Sequence, residues 1–301
     1  MARGSLPFYL KWSFRRIVLR ERIPLTGSVI VTDRCNLQCR HCVVANLGDP
    51  ERTYEELCGD IKLLYDAGIR MLVLTGGEPL IWRDGARTVE DLITAARKMG
   101  FFRTVICTNG TLPLDSRADY LWVSLDGSGT RHDELRNSTI TNIVIKNIKE
   151  SQHPGIKINY TNNGLNISYV MEDIGEILSI ANVKDVFIHI MTPYIGLEDS
   201  PVRLDHDDYG RAVKVIYEVK KKYGGRVINS YPGIKALATG EWERPVWGSL
   251  TVCNGQTGIC CCRRGIYNED VCKVCGCTPA VETWALQSLS PGAIVSYLRY
   301  L

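Results

Sequence analysis

Several features that would assign the chain to a special class of protein are missing from its 301 residues. There is no apolar run of about 18 residues, so no membrane-spanning helix is predicted. No internal repeat or low-complexity tract is evident, and a net charge of only +3 gives no reason to expect nucleic acid as a partner. A secretory signal is also not predicted, because four basic residues interrupt the apolar N-terminal stretch. They are Lys11, Arg15, Arg16 and Arg20. These absences predict a cytoplasmic protein.

The positive charge is concentrated at the N-terminus. Residues 1–24 contain six Lys and Arg residues against the single acid Glu21, and apolar residues recur at helical spacing over residues 5–20. Residues 1–24 are therefore predicted to be a separate segment built on a basic amphipathic helix. Such a helix could make a peripheral contact with an anionic membrane. Its apolar face could also cap the folded domain, which is the simpler interpretation.

Disulfide bonds are not expected, although the chain contains 12 cysteines. A disulfide framework belongs to much shorter secreted chains. Most of these cysteines form two dense groups, and such clustering favours metal or iron–sulfur ligation. The first group is Cys35, Cys39 and Cys42, and the second is Cys253, Cys260, Cys261, Cys262, Cys272, Cys275 and Cys277.

The first cysteine group has the spacing C-x3-C-x2-C and directly follows an apolar run at residues 27–31. Three thiolates on one tight loop can bind three irons of a cubane [4Fe-4S] cluster, and the fourth iron then stays open to another ligand. A zinc site is the alternative, but zinc spacings usually come as two matching cysteine pairs. The spacing therefore favours a cluster with chemistry at its open iron.

Strand-like and helix-like patterns alternate along residues 25–240. Six strand–helix units predict a parallel sheet. A closed TIM barrel needs eight units, so the predicted fold is α/β, a partial (β/α)6 barrel of the TIM type. A doubly wound open sheet has the same periodicity. The strands are predicted at residues 27–32, 70–75, 102–107, 120–125, 156–161 and 184–191, and the helices at about 53–67, 88–99, 140–150, 171–181 and 205–223.

Glycine and polar residues follow the second, third and fourth predicted strands, at the sheet edge where parallel sheets bind their ligands. The second strand leads into Gly76, Gly77 and Glu78. Glycines without a Cβ let the backbone approach a ligand closely, and the carboxylate suits an ammonium group. The residues that follow the third and fourth strands are Asn109, Ser124 and Asp126.

In these motifs the chain resembles the radical S-adenosylmethionine (radical SAM) enzymes. The similarity covers most of residues 27–195. It rests on the cysteine loop from Cys35 to Cys42, Gly76-Gly77-Glu78-Pro79, Thr108-Asn109-Gly110, and Ser124-Leu-Asp-Gly127 with His132, Asp133 and Arg136 downstream. The last motif looks like the branch whose C-terminal extension carries auxiliary clusters of the SPASM or twitch type.

The resemblance implies a role for each matching residue. Cys35, Cys39 and Cys42 would ligate the [4Fe-4S] cluster, and the amino and carboxylate groups of SAM would chelate its unique iron. Gly76, Gly77 and Glu78 would hold the methionine ammonium. The remaining implied SAM contacts are Asn109, Ser124 and Asp126 near the ribose or carboxylate, and His41 near the adenine, at a position where the family usually has an aromatic residue.

The resemblance also implies the reaction. A low-potential electron donor of the ferredoxin or flavodoxin type reduces the cluster, SAM is cleaved, and the 5′-deoxyadenosyl radical abstracts a substrate hydrogen. The substrate class stays open between a peptide or protein side chain, a lipid and a small metabolite. No catalytic acid or base is assigned. Tyr160 and His189 could face a substrate and Cys107 could donate a hydrogen atom, but core packing is the simpler interpretation for all three.

Residues 241–301 are predicted to form a small cysteine-rich extension. Pro, Gly, Trp and Cys dominate as far as residue 279 without a helix or strand period, and residues 281–301 look helical with a break at Pro291. Seven cysteines suffice for one auxiliary iron–sulfur cluster, whereas two fully cysteine-ligated clusters need eight. One auxiliary cluster is predicted, with Cys272, Cys275 and one of Cys260 to Cys262 as the expected ligands. Zinc or no metal are the alternatives.

A non-catalytic iron–sulfur protein, for electron transfer or redox sensing, is the alternative function. It explains both cysteine groups but not Glu78, Asn109 and Ser124 at the ends of successive strands. A zinc-binding interaction module formed by the C-terminal cysteines is a third hypothesis. The strand-end residues favour the enzyme.

Overall fold

The computed structural model describes residues 5–194, 196–197, 200–259, 264 and 267–298. Cys260, Cys261 and Cys262, three of the predicted auxiliary-cluster ligands, lie outside the described residues. The strands of the main sheet are β1 (Thr26–Thr32), β2 (Met71–Gly76), β3 (Arg103–Thr108), β4 (Tyr120–Ser124), β5 (Ile156–Asn162), β6 (Asp185–Ile190), β7 (Ser249–Cys253) and β8 (Gln256–Ile259). The helices are α1 (Ser5–Ile17), α2 (Tyr54–Asp66), α3 (Val89–Met99), α4 (Thr130–Arg136), α5 (Thr141–Glu150), α6 (Val170–Ser179), α7 (His206–Tyr223), α8 (Tyr231–Thr239), α9 (Glu269–Lys273), α10 (Thr278–Gln287) and α11 (Pro291–Leu298).

The eight strands form one sheet in the order β8-β7-β1-β2-β3-β4-β5-β6. All neighbours are parallel except the β7–β8 pair at the edge, which is antiparallel. A doubly wound sheet would reverse its order at a switch point between the first six strands, and this sheet does not. The predicted α/β partial barrel is therefore confirmed, and each of the six predicted strands is present.

Alternating strand residues face either the helices or the barrel interior. On β1, a Cβ at Gly27 would lie 2.8 Å from Leu64 and 2.9 Å from Ile69, so this position packs directly against α2. The predicted capping box of α2 is also present, because Thr53 and Glu56 bond each other's backbone N–H groups. At the end of α3, Gly100 adopts the left-handed conformation with φ of 104°. These local signals explain why the predicted helix limits agree with the observed ones.

The C-terminal residues take part in the barrel itself. The expectation that residues 241–279 contain no strand is wrong, because β7 pairs with β1 in parallel, with Gly27 opposite Leu250. Helix α10 stands between β6 and β7. Its first residue, Thr278, accepts a hydrogen bond from the backbone N–H of Ile190 (3.2 Å), and Gln287 at its other end packs against Gly248. Helix α10 therefore completes the barrel wall where the strands leave it open.

Helix α1 covers the end of the barrel at which the strands begin. The ring of Phe8 packs edge-on against Phe102, which precedes β3, with centroids 5.5 Å apart. Tyr9 packs against Tyr297 of α11 (6.3 Å), and Trp12 is buried. One face of the predicted amphipathic helix thus caps the barrel. None of the helices in the described part of the chain is long and apolar enough to cross a bilayer.

Candidate functional site

The cysteine loop begins where β1 ends, at the carboxyl edge of the sheet. Asn46 holds this loop in place, although no motif assigns it a role. Its side chain accepts a hydrogen bond from the backbone N–H of Cys35 (2.8 Å) and donates one to the carbonyl of Leu37 (3.0 Å). Asn46 has a φ of 57°, a left-handed conformation that asparagine adopts more easily than most residues. The loop is therefore ordered by its own residues.

The three thiols of the loop interact with one another. Burial raises the pKa of Cys35 and of Cys39, and a negative charge on Cys42 raises both further. Three donors oppose this effect: the backbone N–H of Leu37 bonds the Cys35 sulfur, Asn109 Nδ2 lies 3.8 Å from the same sulfur, and Arg136 Nη1 lies 3.9 Å from the Cys39 sulfur. Thiolates at close range need cationic partners, and these donors supply only part of the compensation.

The described residues do not offer a site for a single metal ion. Within that part of the chain, no three His, Cys, Asp or Glu side chains are arranged to hold one ion. A tetrahedral zinc site needs its sulfurs around one centre, whereas a cubane cluster takes each thiolate on a different iron. The assignment of these three thiols to a cluster stays a prediction.

Gly76 and Gly77 join the end of β2 to the cysteine loop. A Cβ at Gly76 would lie 2.5 Å from the carbonyl oxygen of Thr32, and one at Gly77 would lie 2.0 Å from that of Arg34. The backbone N–H of Gly77 donates to the Thr32 carbonyl (2.9 Å), and that of Glu78 donates to the Arg34 carbonyl (2.9 Å). Both positions require glycine because their backbone lies against the backbone at the end of β1 and the start of the cysteine loop.

The carboxylate of Glu78 is fully buried and joins β2 to β3. It accepts hydrogen bonds from the Thr108 hydroxyl (2.9 Å), the Asn109 backbone N–H (2.7 Å) and the Leu80 backbone N–H (3.0 Å). Burial raises the pKa of Glu78 in spite of these bonds. The Asn109 side chain continues the link by donating to Asn36 in the cysteine loop (2.8 Å). Glu78 therefore has a structural role whether or not it also contacts a ligand.

Asp126, beyond the end of β4, is the centre of a buried charged network. Burial alone would raise its pKa, but the Arg136 guanidinium and His132 hold it well below the ordinary value. Arg136 Nε donates to Asp126 Oδ2 (2.7 Å), and the backbone N–H of Thr161 donates to Oδ1 (2.8 Å). Arg136 also reaches the Cys39 sulfur, so it connects β4 to the cysteine loop. The motif contains Arg136, but sequence alone assigns it no role.

His41 and Ser124 lie near this network. Burial lowers the pKa of His41 to about 4, so its ring is neutral at pH 7. The Nδ1 atom of His41 is buried without a hydrogen-bond partner, which leaves it available to a bound ligand. Ser124 ends β4, in register with Asn159 of β5. The structure thus gathers most of the predicted site residues at one edge of the sheet.

The described C-terminal cysteines have different surroundings. Cys253 ends β7, and the charges of Asp49 and Arg52 affect its pKa, which burial raises. Cys275 and Cys277 are buried together, and the backbone N–H of Cys277 donates to the Cys275 sulfur (3.2 Å). Their assignment to a common auxiliary cluster stays a prediction.

Arg264, the one described residue between 260 and 266, connects the C-terminal segment to the cysteine loop. Its guanidinium is buried against the Asp33 carboxylate, pairs with Asp49, and donates to the carbonyl of Val44 (2.8 Å). Asp33 immediately follows β1, and it also accepts the backbone N–H of Gly48 (2.8 Å). No local sequence signal indicates this contact, because the partners are more than 200 residues apart.

A cavity of about 280 Å³ lies inside the barrel. It extends from the first residues of β1, β2 and β4 (Thr26, Met71 and Tyr120) to Thr75 and Cys107, which immediately precede Gly76 and Thr108 at the carboxyl ends of β2 and β3. Three polar atoms of its lining residues are buried without partners: Trp122 Nε1, Asn159 Oδ1 and His189 Nε2. The described residues that line it include no Lys or Arg.

The lining shows which of Tyr160, His189 and Cys107 could contact a substrate and which only packs in the core. Tyr160 faces away from the cavity, because its hydroxyl donates to Asp173 near the start of α6 (2.9 Å). Cys107 and His189 do line the cavity. Burial raises the pKa of Cys107 to about 12 and lowers that of His189 to about 4, so both are neutral at pH 7. Core packing therefore explains Tyr160, while His189 and Cys107 remain available to a substrate.

Comparison with known proteins supports the pattern read from the motifs. Residues 29–177 match the family described as "Radical SAM superfamily". The chain is 31% identical over 140 residues to "Probable GTP 3′,8-cyclase" of Methanothermobacter marburgensis, covering 46% of this chain and 45% of that protein. It is 29% identical over 211 residues to "Fe-coproporphyrin III synthase" of Methanosarcina barkeri, covering 64% of this chain and 50% of that protein. The chain thus spans about half the length of these curated relatives.

The fold is similar to that of solved structures. One of them is described as "Native anSMEcpe with bound AdoMet and Cp18Cys peptide", with a TM-score of 0.57 and 18% sequence identity. The alignment covers 77% of this chain and 70% of that one. At this identity the likeness establishes the barrel and leaves the substrate open.

Proposed function

The chain belongs to the radical SAM superfamily of enzymes, and from that premise we propose that it abstracts a hydrogen atom from a substrate group without negative charge held in the barrel cavity. Its cofactors are a [4Fe-4S] cluster and SAM, as in other members of the superfamily. The observation that carries the substrate proposal is the lining of the cavity, which adjoins the carboxyl edge of the sheet and contains no basic side chain among the described residues.

We assign the cluster to Cys35, Cys39 and Cys42. The assignment is supported by their electrostatic interaction with one another and by the donors that Asn109 and Arg136 direct at two of the sulfurs. When bound, the cluster and SAM supply a carbon radical that removes a hydrogen atom from the substrate. A low-potential reductant is required, and we propose a donor of the ferredoxin or flavodoxin type.

The other residues of the edge position this site. We propose that His41, Asn109 and Ser124 contact SAM together with the Gly76–Gly77 backbone and Glu78. Support comes from the unpartnered Nδ1 of His41. Asp126 contributes indirectly in this scheme, because Arg136 and the Thr161 N–H occupy its carboxylate. Its charge fixes the guanidinium that approaches Cys39.

The cavity lining disfavours a negatively charged substrate group. A nucleoside triphosphate or a propionate-bearing tetrapyrrole, the chemistry named for the two curated relatives, needs cations to offset its negative charge. The cavity instead offers an indole N–H, an amide oxygen and a neutral imidazole from Trp122, Asn159 and His189. It also contains the carboxyl group of Glu282, which repels an anion when it is ionised. These groups suit one or two hydrogen bonds to an otherwise apolar moiety, such as a peptide side chain.

Anaerobic reconstitution tests the proposal. The iron- and sulfide-loaded protein, reduced with dithionite, should convert SAM to 5′-deoxyadenosine. Neutral peptides should stimulate that reaction more than GTP does at equal concentration. A fully loaded protein that releases no 5′-deoxyadenosine would contradict the enzyme proposal and favour the electron-transfer alternative. Stimulation by GTP but not by neutral peptides would support the proposed SAM cleavage and contradict the proposed substrate class.

We also propose one auxiliary iron–sulfur cluster in the segment 253–277. Cys272 and Cys275 are the expected ligands, with one cysteine from 260–262. Support comes from Arg244, because burial lowers its pKa while negative charge on Cys275 and on Cys272 raises it. This effect of the thiols indicates that both lie close to the same cation. The loaded protein should contain about eight irons per chain, and the Cys272→Ala variant about four. About four irons and one zinc in the unmodified protein would instead indicate a zinc-binding extension.

A further inference from the structure

Helix α1 has a second apolar face that points away from the barrel. With Phe8, Tyr9 and Trp12 turned inward, the large apolar residues on the opposite side stay open to solvent. They are spaced by four, four and three positions, so they form one line along the helix. We call them the outer stripe: Leu6 (52% exposed), Leu10 (62%), Phe14 (55%) and Ile17 (54%).

The residues after the helix extend this apolar surface. Val18 and Leu19 are 59% and 53% exposed, although each has a large aliphatic side chain. Six such residues within fourteen positions form a concentration that a soluble surface rarely shows. No residue in the described part of the chain packs over them closely enough to bury them.

Positive charge borders the outer stripe. Helix α1 contains no Asp or Glu, and Lys11 lies one position from Leu10 on its exposed side. Glu21, the only acid of residues 1–24, pairs with Arg15, while Arg16 lies over the Trp247 ring and Arg22 pairs with Glu243. Among the described residues of this segment, Lys11 and Arg20 are therefore the cations that can reach an anionic surface. Arg20 is exposed. Apolar side chains flanked by cations are the composition of a helix that lies in the interface of an anionic bilayer.

We propose that α1 attaches the protein peripherally to an anionic lipid surface, with the outer stripe inserted among the headgroups. The helix has 13 residues and is too short to cross a bilayer. A second copy of the chain is a poorer occupant, because pairing two stripes would bring the cations of both copies together in the contact.

The attachment fixes the orientation of the enzyme. Helix α1 covers the amino ends of the strands through Phe8 and Tyr9, and the cysteine loop lies at their carboxyl ends. A membrane on the outer stripe therefore leaves the cysteine loop facing the aqueous side. A reductant could reach the cluster there without crossing the lipid contact.

Vesicle co-sedimentation of the full, cofactor-loaded chain tests the proposal. We expect binding to vesicles of phosphatidylglycerol and phosphatidylcholine, and binding at least about tenfold weaker to phosphatidylcholine alone or at high salt. The Leu10→Glu/Phe14→Glu variant should lose at least about tenfold in binding to the anionic vesicles. Leu63→Glu/Ile143→Glu is the matched control, because these side chains are 41% and 45% exposed on α2 and α5 and the change should add the same two charges without loss of binding.

Two results would overturn the proposal. One is equal binding of the Leu10→Glu/Phe14→Glu variant and the unmodified protein, with both shown to be folded by circular dichroism. The other is a concentration-dependent dimer in solution that this variant abolishes, which would assign the stripe to a second copy. A Phe14→Trp variant gives an independent reading against the six native tryptophans. The emission that it adds to the spectrum of the unmodified protein should shift to the blue with anionic vesicles only, and an added emission that does not shift would contradict insertion.

Discussion

The two cysteine-bearing regions differ in what surrounds their thiols. In the loop from Cys35 to Cys42, the ends of β2, β3 and β4 all reach the cysteine segment, through Gly77, Asn109 and Arg136. In the C-terminal segment, the described cysteines lie partly on β7 and partly beside the start of α10. We therefore assign the proposed catalytic cluster to the first group because of the strand ends that contact it, although the second group contains more cysteines.

The arginines of the two regions show the same difference. Arg136, near Cys39, is paired with the buried carboxylate of Asp126, so its charge is already balanced. Arg244, near Cys275, donates instead to the carbonyl of Cys275 (3.3 Å) and stacks on the ring of Trp242 at 3.9 Å. Burial lowers the pKa of Arg244. A negatively charged group beside Cys275 would therefore stabilise this arginine, which fits an auxiliary cluster.

The largest expected effect separates the two regions by activity. Cys39→Ala should reduce the formation of 5′-deoxyadenosine at least about 100-fold, because the cluster loses a ligand at the site of SAM cleavage. Cys58→Ala, on α2 and outside both cysteine groups, is the control and should keep its activity. Product is quantified by chromatography after anaerobic incubation with SAM and dithionite. Undiminished product from the Cys39 variant would remove the loop from the mechanism.

The second prediction concerns the charge network that supports the cysteine loop. Arg136→Leu leaves Asp126 buried without its cation, which should destabilise the fold by about 3–5 kcal/mol. Urea denaturation of the metal-free protein measures this loss. The Asp126→Asn/Arg136→Leu double variant removes both charges, and its amide oxygen can still accept the Thr161 N–H. The double variant should recover more than half of the lost unfolding free energy. If the effects of the two substitutions on that free energy simply added, the result would contradict the network.

The third prediction tests the contact between the two regions. Arg264→Gln removes the buried pair with Asp33 and should cost about 2 kcal/mol. Hydrogen exchange should become faster at residues 33–49, since Asp33 orders that loop through the N–H groups of Gly48 and Asp49. Arg34→Gln breaks the exposed pair with Glu51 and should stay within about 0.5 kcal/mol of the unmodified protein. Equal exchange rates at residues 33–49 in both variants would show that Arg264 does not order this loop.

Much of the barrel could be predicted from sequence because its strands are buried on both faces. Such strands read as continuous apolar runs, and the run at residues 27–32 corresponds to Thr26–Thr32 in the structure. Strand β7 escaped notice because Ser249–Cys253 is short and contains Thr251 and Cys253 among its apolar residues. Its strand conformation follows from pairing with β1, and local sequence does not show this because β1 lies more than 200 residues away.

The candidate site shows the same limit. Its cysteines and strand-end residues have local signatures, and the structure brings them to one edge of the sheet. The residues that fix them do not have such signatures: Arg264 reaches Asp33 across the length of the chain, and Glu78 uses its oxygens on Thr108 and Asn109. A motif identifies the residue types that the chemistry needs, but hydrogen-bond partners follow from the tertiary fold.

The smallest expected effect tests whether the C-terminal region contributes to the barrel apart from its cysteines. Glu282 of α10 lines the cavity, and burial raises its pKa to about 7 from an ordinary 4.5. Because the folded state holds this proton more tightly, the associated stability is complete below pH 4.5 and is lost as pH rises to about 7.

Between pH 6 and 8 that loss amounts to about 1 kcal/mol. The Glu282→Gln variant should not show it, because the amide oxygen can still accept the Ser230 N–H but carries no charge. Urea denaturation at the two pH values measures the difference, and Glu241→Gln, at an exposed position after α8, should follow the unmodified protein. If Glu282→Gln kept the same pH dependence, the protonation of Glu282 would not affect the stability of the barrel, and α10 would only line the cavity. The C-terminal region would then contribute packing alone.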